Sequence, residues 1–237
     1  LTARDWSGYA KHGTLTNMDA STGWMASSGR YAINFDGSND FVALPFAELA
    51  NYVRWPAALS LWFMTRDPSQ RQCLIADFNT SGTTITVDIE VSGFNMTTGR
   101  VGVGGFLGAS SESASPLQST ASISANRWYQ LLVQSNATGF ELYLDGVLQS
   151  SKTSSNTPTL SGSHMTRIGR PGAFPSDILM LNGQVDDVRL YHRELQVREI
   201  RQLASRRGIA YELAPRRRSA LVSGFNRRRR LLVGAHS

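Results

Sequence analysis

A single cysteine, Cys73, stands among 237 residues, so no internal disulfide can staple the chain, and the thiol count leaves its compartment open. Cys73 itself reads as a small buried hydrophobe on a strand. The four histidines are scattered, and with one thiol they offer neither the ligand spacing of a zinc site nor a nucleophile triad. No uninterrupted apolar run approaches the ~20 residues that cross a bilayer, which excludes a spanning helix. Helical periodicity is missing until Leu195. The sequence begins at Leu1 with no signal-peptide pattern; the expectation is that a segment ahead of it was trimmed or processed, taking any targeting information with it.

What is abundant is the material of strands and turns. A hydrophobic share of 41%, 21 glycines and many Ser and Thr residues suit short strands joined by tight connections, and the length is ordinary for one large sandwich. Thr14 to Met18 alternates. Tyr31, Ile33 and Phe35 fall on one face, Asp36-Gly37 turns, and Asp40 to Leu44 continues extended. Leu59, Leu61 and Phe63 alternate with Ser60 and Trp62, as in a central strand with large side chains on both faces. Leu74 to Phe78 follows, then Thr83 to Val91, where Ile85, Val87, Ile89 and Val91 oppose Thr and acidic residues. Arg127 to Val133, Thr138 to Tyr143 and Val147 to Ser150 read as hairpin partners, with Asp145-Gly146 a strong two-residue turn. Met165 to Gly169 resumes strand.

The stretch from Gly183 to Leu203 changes period in its middle. Val185, Asp187, Arg189 and Tyr191 share one parity and Asp186, Val188 and Leu190 the other, an irregular alternation expected of a strand packed on both sides toward its end. Leu195, Ile200, Leu203 and Ala204 then fall on one face of a short helix, expected across an open edge or end of the sheet. Gln196 is a poor N-cap, so Glu199 is not expected to complete a capping box.

The segments Asp5 to Thr14, Phe35-Asp-Gly-Ser-Asn-Asp-Phe-Val42, Leu59-Ser-Leu-Trp-Phe63, Trp128-Tyr-Gln-Leu131, Phe140-Glu-Leu-Tyr-Leu-Asp-Gly146, Ile168-Gly169 and Gly183 to Leu203 appear in an order and spacing that resembles the LamG-like (laminin G-like) branch of the concanavalin A-like lectin/glucanase superfamily. The resemblance runs from about Asp5 to Leu203 and implies an all-β, two-sheet antiparallel jelly-roll sandwich with one short C-terminal helix. Hydrolytic members of that superfamily carry Glu-x-Asp-x-x-Glu or similar, and no such triplet occurs here. Asp88 and Glu90, on the outer parity of one strand, are the nearest imitation and read first as a solvated sheet face. LamG-like relatives often hold one structural calcium ion. Asp5, Asp36, Asp40, Asp186 and Asp187 are its candidate ligands if the first and last strands are neighbours; otherwise Asp36 makes a turn, and Asp186 or Asp187 pairs with Arg189 or a backbone amide. Glycan recognition would use aromatic faces, and Trp24 and Trp55 are the candidates, against a core role. Sequons at Asn79, Asn95 and Asn136 follow from composition.

The charge is divided. Residues 1–204 hold 15 basic and 17 acidic side chains, whereas residues 205–237 hold nine arginines against Glu212. The expected domains are therefore a sandwich over 1–204 and an Arg-rich docking tail over 205–237. In the tail, Arg206, Arg207, Arg216, Arg217, Arg218, Arg227, Arg228, Arg229 and Arg230 alternate with apolar anchors that include Tyr211, Phe225 and Leu231. That interleaving suits an acidic protein partner, with arginines on carboxylates and anchors in pockets. Nucleic-acid phosphate is the alternative, and a membrane-surface helix is hindered by Pro215 and Gly224. The tail is similar to Arg-rich ends that follow LamG-like modules in proteins of tailed phages and some environmental bacteria. The expectation is a non-enzymatic module in a larger, oligomeric assembly, a virion capsid or tail component anchored through its tail. The alternatives are a secreted or cell-surface carbohydrate-binding module, then a glycoside hydrolase or a nucleic-acid-attached protein.

Overall fold

The computed structural model describes residues 1–5, 10–27, 30–45, 57–79, 85–103, 116–136, 138–153, 164–172 and 179–208. Two antiparallel sheets are built from them. The first runs β1 (Thr2–Ala3), β2 (Gly13–Thr16), β5 (Phe41–Ala43), β14 (His164–Ile168), β7 (Gln72–Asn79), β8 (Ile85–Val91), β9 (Val101–Val103) and β10 (Leu117–Gln118). The second runs β13 (Val147–Thr153), β12 (Gly139–Leu144), β11 (Tyr129–Asn136), β6 (Ala57–Thr65), β15 (Asn182–Tyr191), β4 (Arg30–Asp36) and β3 (Trp24–Ser27). Among the described residues a helix, α1 (Val197–Ser205), follows. This is the two-sheet jelly roll that the LamG-like resemblance implies.

The inward parity of both sheets meets in one interior. Phe35, Leu61, Phe63, Leu74, Ile89, Leu131, Leu142 and Val185 are all buried there, and each such large side chain contributes about 1.5–3 kcal/mol by leaving water. Phe63 and Tyr129 stack with ring centroids 5.9 Å apart. Tyr31 shares the parity of Ile33 and Phe35 but, near the start of its strand, is 69% exposed.

The second sheet is apolar on its outer parity as well, at Ala58, Leu132 and Tyr143, and there α1 is seated. Leu195, Ile200 and Leu203 close over those three residues. The helix thus lies on the outer face of β6, β11 and β12 and not across an edge, because that face offers an amphipathic helix a matching apolar surface. Asp145 and Gly146 make the expected two-residue turn, both with positive φ (50° and 75°), and Leu144 faces Val147 across it. A Cβ on Gly146 would stand 3.0 Å from Ala204, so glycine also lets the turn approach the helix.

The start of α1 differs from expectation. Gln196 is extended, yet its N–H donates to Glu199 Oε2 at 2.9 Å. Arg193 supplies the missing order: its guanidinium donates to both Glu199 oxygens, at 2.8 and 2.6 Å, and aims the carboxylate back at the first turn.

β15 also differs. Its irregular parity marks a bulge between Asp186 and Arg189, with Asp187 at φ 53°. The bulge turns both acidic side chains toward the returning C-terminal segment.

Candidate functional site

The outer face of the first sheet carries the candidate chemistry. On β8, Ile89 and Val91 point into the core, so Asp88 and Glu90 take the outer parity, as the sequence alternation predicts. They are not solvated. Asp88 is 2% exposed and Glu90 0%, and Glu90 Oε2 accepts from Arg71 Nε at 2.8 Å. Cys73 and Ala76 lie beside them in register, facing Glu90 and Asp88 respectively. Cys73 is buried as expected; burial first, then the Asp88 and Glu90 carboxylates, push its thiol well above the ordinary thiol range.

Toward β14 and β5 the same face changes character. Arg167 and Ala43 are paired in register, as are Met165 and Phe78. The Arg167 guanidinium sits 4.6 Å from the Phe41 ring centroid and 5.4 Å from that of Phe78. Arg170 also stands over Phe41, at 5.7 Å from the ring centroid. Phe41 and Phe78 are buried, and both arginines are half-buried. Gly172 presses flat on Phe78, where any Cβ would overlap the ring, so the turn that carries Arg170 is held down on the sheet. Burial first, then Arg170, draws the Arg167 guanidinium below its ordinary range.

A buried polar network ties β14 to β7. Asp77 Oδ1 lies 3.0 Å from His164 Nδ1, and Asp77 Oδ2 accepts from Thr166 Oγ1 at 2.8 Å. The sequence offers no signal for it, since 87 residues separate Asp77 from His164.

The five aspartates expected to share a calcium ion are not gathered. β1 belongs to the first sheet and β15 to the second, so the first and last strands are not neighbours. Asp5 Oδ2 accepts from the Lys11 N–H at 2.9 Å. Asp36 and Asp40 do meet: Asp36 Oδ1 accepts from Ser38 N–H at 2.8 Å, and Asp40 Oδ2 from Asp36 N–H at 3.1 Å. Burial pushes the Asp40 carboxyl upward. β4 pairs with β15, but Asp36 faces Asn182, four residues and therefore ~13 Å along the strand from Asp186. Asp186 and Asp187 are committed elsewhere, to Arg207, Arg189 and the Gly208 amide. Among the described residues no three His, Cys, Asp or Glu side chains cluster as a metal requires, and these five do not fit one shared ion.

Trp24, a candidate for glycan stacking, instead packs half-buried against the interior. Trp55 lies outside the described residues, as do Tyr211, Arg216, Arg217, Arg218, Phe225, Arg227, Arg228, Arg229, Arg230 and Leu231.

Of the expected tail, residues 205–208 belong to the described structure. Arg206 is exposed, but Arg207 is built into the body and not offered to a partner. Its guanidinium stacks 4.1 Å from the Trp128 ring, pairs with Asp186 at 3.3 Å and donates to the Ser27 carbonyl. Trp128 Nε1 donates to Ser27 Oγ at 3.0 Å. The next amide, Gly208 N–H, donates to Asp187 Oδ2 at 3.1 Å, while Asp187 Oδ1 accepts from Arg189 at 2.9 Å. Burial raises the Asp186 carboxyl, and Arg207 opposes that rise. The folded body thus extends to Gly208. The alternation of arginines along the tail hid this, because Arg207 resembles its neighbours until its partners are known.

Comparison with known structures places the fold. Domain 4 of AbnA, a GH43 extracellular arabinanase from Geobacillus stearothermophilus, solved in complex with arabinotriose, superposes with a TM-score of 0.63 at 16% identity, over 84% of this chain and 91% of that one. Trypanosoma rangeli sialidase in complex with sialic acid gives 0.58 at 16%, over 83% of this chain and 30% of that one. Its complex with the inhibitor DANA gives 0.56 at 15%, over 83% and 29%. This chain therefore spans under a third of the sialidase. No curated protein sequence is significantly similar to it. Residues 36–201 match the Laminin_G_3 family, and with well over half of the length covered and a two-sheet jelly roll beneath it, the chain belongs to that family of the Concanavalin A-like lectin/glucanases superfamily.

Proposed function

We propose that the sandwich is a non-catalytic carbohydrate-binding module whose ligand lies on the outer face of the first sheet. The observation that carries this reading is the state of that face. Among the described residues the carboxylates of that face, Asp88 and Glu90, are 2% and 0% exposed, and Glu90 is held by Arg71. Glycoside hydrolysis draws on a pair of carboxyl groups that both reach the scissile bond. Half-buried arginines and the exposed Thr14 remain on the same face to meet a ligand. The AbnA domain, alike in fold and solved with arabinotriose, supports a saccharide as the ligand class. The expected result is saccharide binding by calorimetry with no release of reducing ends. Turnover that disappears in Asp88→Asn or Glu90→Gln would overturn the non-catalytic reading.

A second role follows from charge. The body to Gly208 holds 17 basic and 17 acidic side chains, and residues 209–237 add seven arginines against Glu212. This division supports a C-terminal segment that fastens a neutral module to an acidic protein of a larger assembly, with a virion as the sequence-based expectation. A chain ending at Gly208 is expected to fold and bind saccharide yet fail to enter that assembly. Undiminished incorporation would remove this role.

A further inference from the structure

Arg167 and Arg170 project from the strand end and turn that cross the first sheet's outer face, and both lie over Phe41. Among the described residues, neither guanidinium meets a hydrogen-bond acceptor or a carboxylate; aromatic rings are their partners, and Arg170 is close enough to disfavour the charge on Arg167. A guanidinium laid on an aromatic face keeps its N–H edge directed sideways, in the fork that matches a planar or tetrahedral oxyanion. Thr14 and Thr16 pair with Ala43 and Phe41 in register, which puts two hydroxyls on the same face beside the arginines. The nearest carboxylate on that face in register is Asp88, beyond Ala76, which itself faces Arg167; two strand spacings make that ~9.6 Å. Glu90 is taken by Arg71.

Holding two like charges side by side at a half-buried position is unfavourable in the empty protein. An anionic group bound between them offsets that repulsion and receives charge-assisted hydrogen bonds that a neutral hydroxyl cannot match. The buried rings of Phe41 and Phe78 serve as a bed for the cations and are not themselves open to sugar stacking. We infer that Arg167 and Arg170 form an anion subsite on the Phe41–Phe78 bed, and that the ligand of this face is an acidic saccharide bearing a carboxylate or sulfate group. This inference rests on the carbohydrate-binding reading and specifies its ligand.

The test is calorimetry on the full chain with three short oligosaccharides of equal length: oligogalacturonate, a sulfated galactan and a neutral galactan. A variant with Arg227, Arg228, Arg229 and Arg230 replaced by Gln controls for the basic C-terminal segment. At least one acidic oligosaccharide is expected to bind about tenfold or more tightly than the neutral one, since a charge-assisted contact is worth roughly that factor. The carboxylated and sulfated arms identify which anion is preferred. Arg167→Gln with Arg170→Gln is expected to erase that preference, Arg167→Lys to weaken it by loss of the fork, and the Arg227–Arg230 variant to retain it. Equal binding of neutral and acidic oligosaccharides overturns the anion subsite and leaves the carbohydrate reading in place. Preference lost in the Arg227–Arg230 variant, or displaced by a short DNA strand at equal charge, also overturns it. Binding of no oligosaccharide overturns both readings.

Discussion

Arg207 shows how much one side chain can carry when it is enclosed. Its side chain is 7% exposed and that of Asp186 13%, so removal of the guanidinium leaves an uncompensated carboxylate and an unstacked Trp128. Arg207→Ala is expected to cost about 3 kcal/mol, the usual magnitude for breaking a buried pair from one side, and denaturant unfolding at neutral pH measures it. Arg207→Lys keeps the charge but not the planar stack on Trp128, and is expected to recover only part of the loss. Cys73 makes a second prediction at this scale. A fully buried thiol beside two carboxylates stays protonated, so a thiol reagent at pH 8 is expected to leave the folded chain unlabelled and to label it once denaturant is added. Labelling at equal rates in both conditions would contradict the packing at the β7–β8 seam.

At the scale of elements, α1 is held by its packing on the second sheet and by the Arg193–Glu199 contact. The Arg193 hydrogen bonds first, then the Gln196 amide, lower the Glu199 carboxyl from 4.5 to about 2. A depressed carboxyl binds its proton less tightly when folded, so its stabilisation is complete above pH 4.5 and fades as pH falls toward 2. The side chain is 38% exposed, and solvent screening keeps the effect small. Glu199→Gln is expected to flatten this part of the acid limb in a melting-temperature series, with little change at pH 7. Much of this architecture was legible: Ile89 and Val91 alternate with Asp88 and Glu90, and Asp145-Gly146 gives its turn by residue type. The bulge in β15 was not, because an inserted residue and a strand packed on both faces leave the same irregular parity. Nor was the arginine subsite, although Arg170 directly follows the Ile168-Gly169 pair. Its bed comes from Phe41 and Phe78, and pattern along one strand says nothing about rings brought in from β5 and β7. The burial of Asp88 and Glu90 likewise depends on what folds over them.

For the molecule as a whole, the described fold reaches at least to Gly208, four residues past the boundary drawn from composition. Two truncations separate the alternatives. A chain ending at Ala204 loses both the Arg207 stack and the Gly208–Asp187 hydrogen bond, and is expected to melt lower than one ending at Gly208. The Gly208 truncation is expected to melt like the full chain, as differential scanning calorimetry would record. The latch has a geometric consequence. Arg207 and Gly208 are pinned to Ser27, Asp186 and Asp187, which belong to the second sheet, while the arginine subsite lies on the far side of the first. The described chain therefore leaves the sandwich at its second sheet, on the side opposite the arginine pair. With an anchor close behind Gly208 and a saccharide on the first sheet, as proposed above, the two partners would meet opposite sides of one body and would not compete for surface.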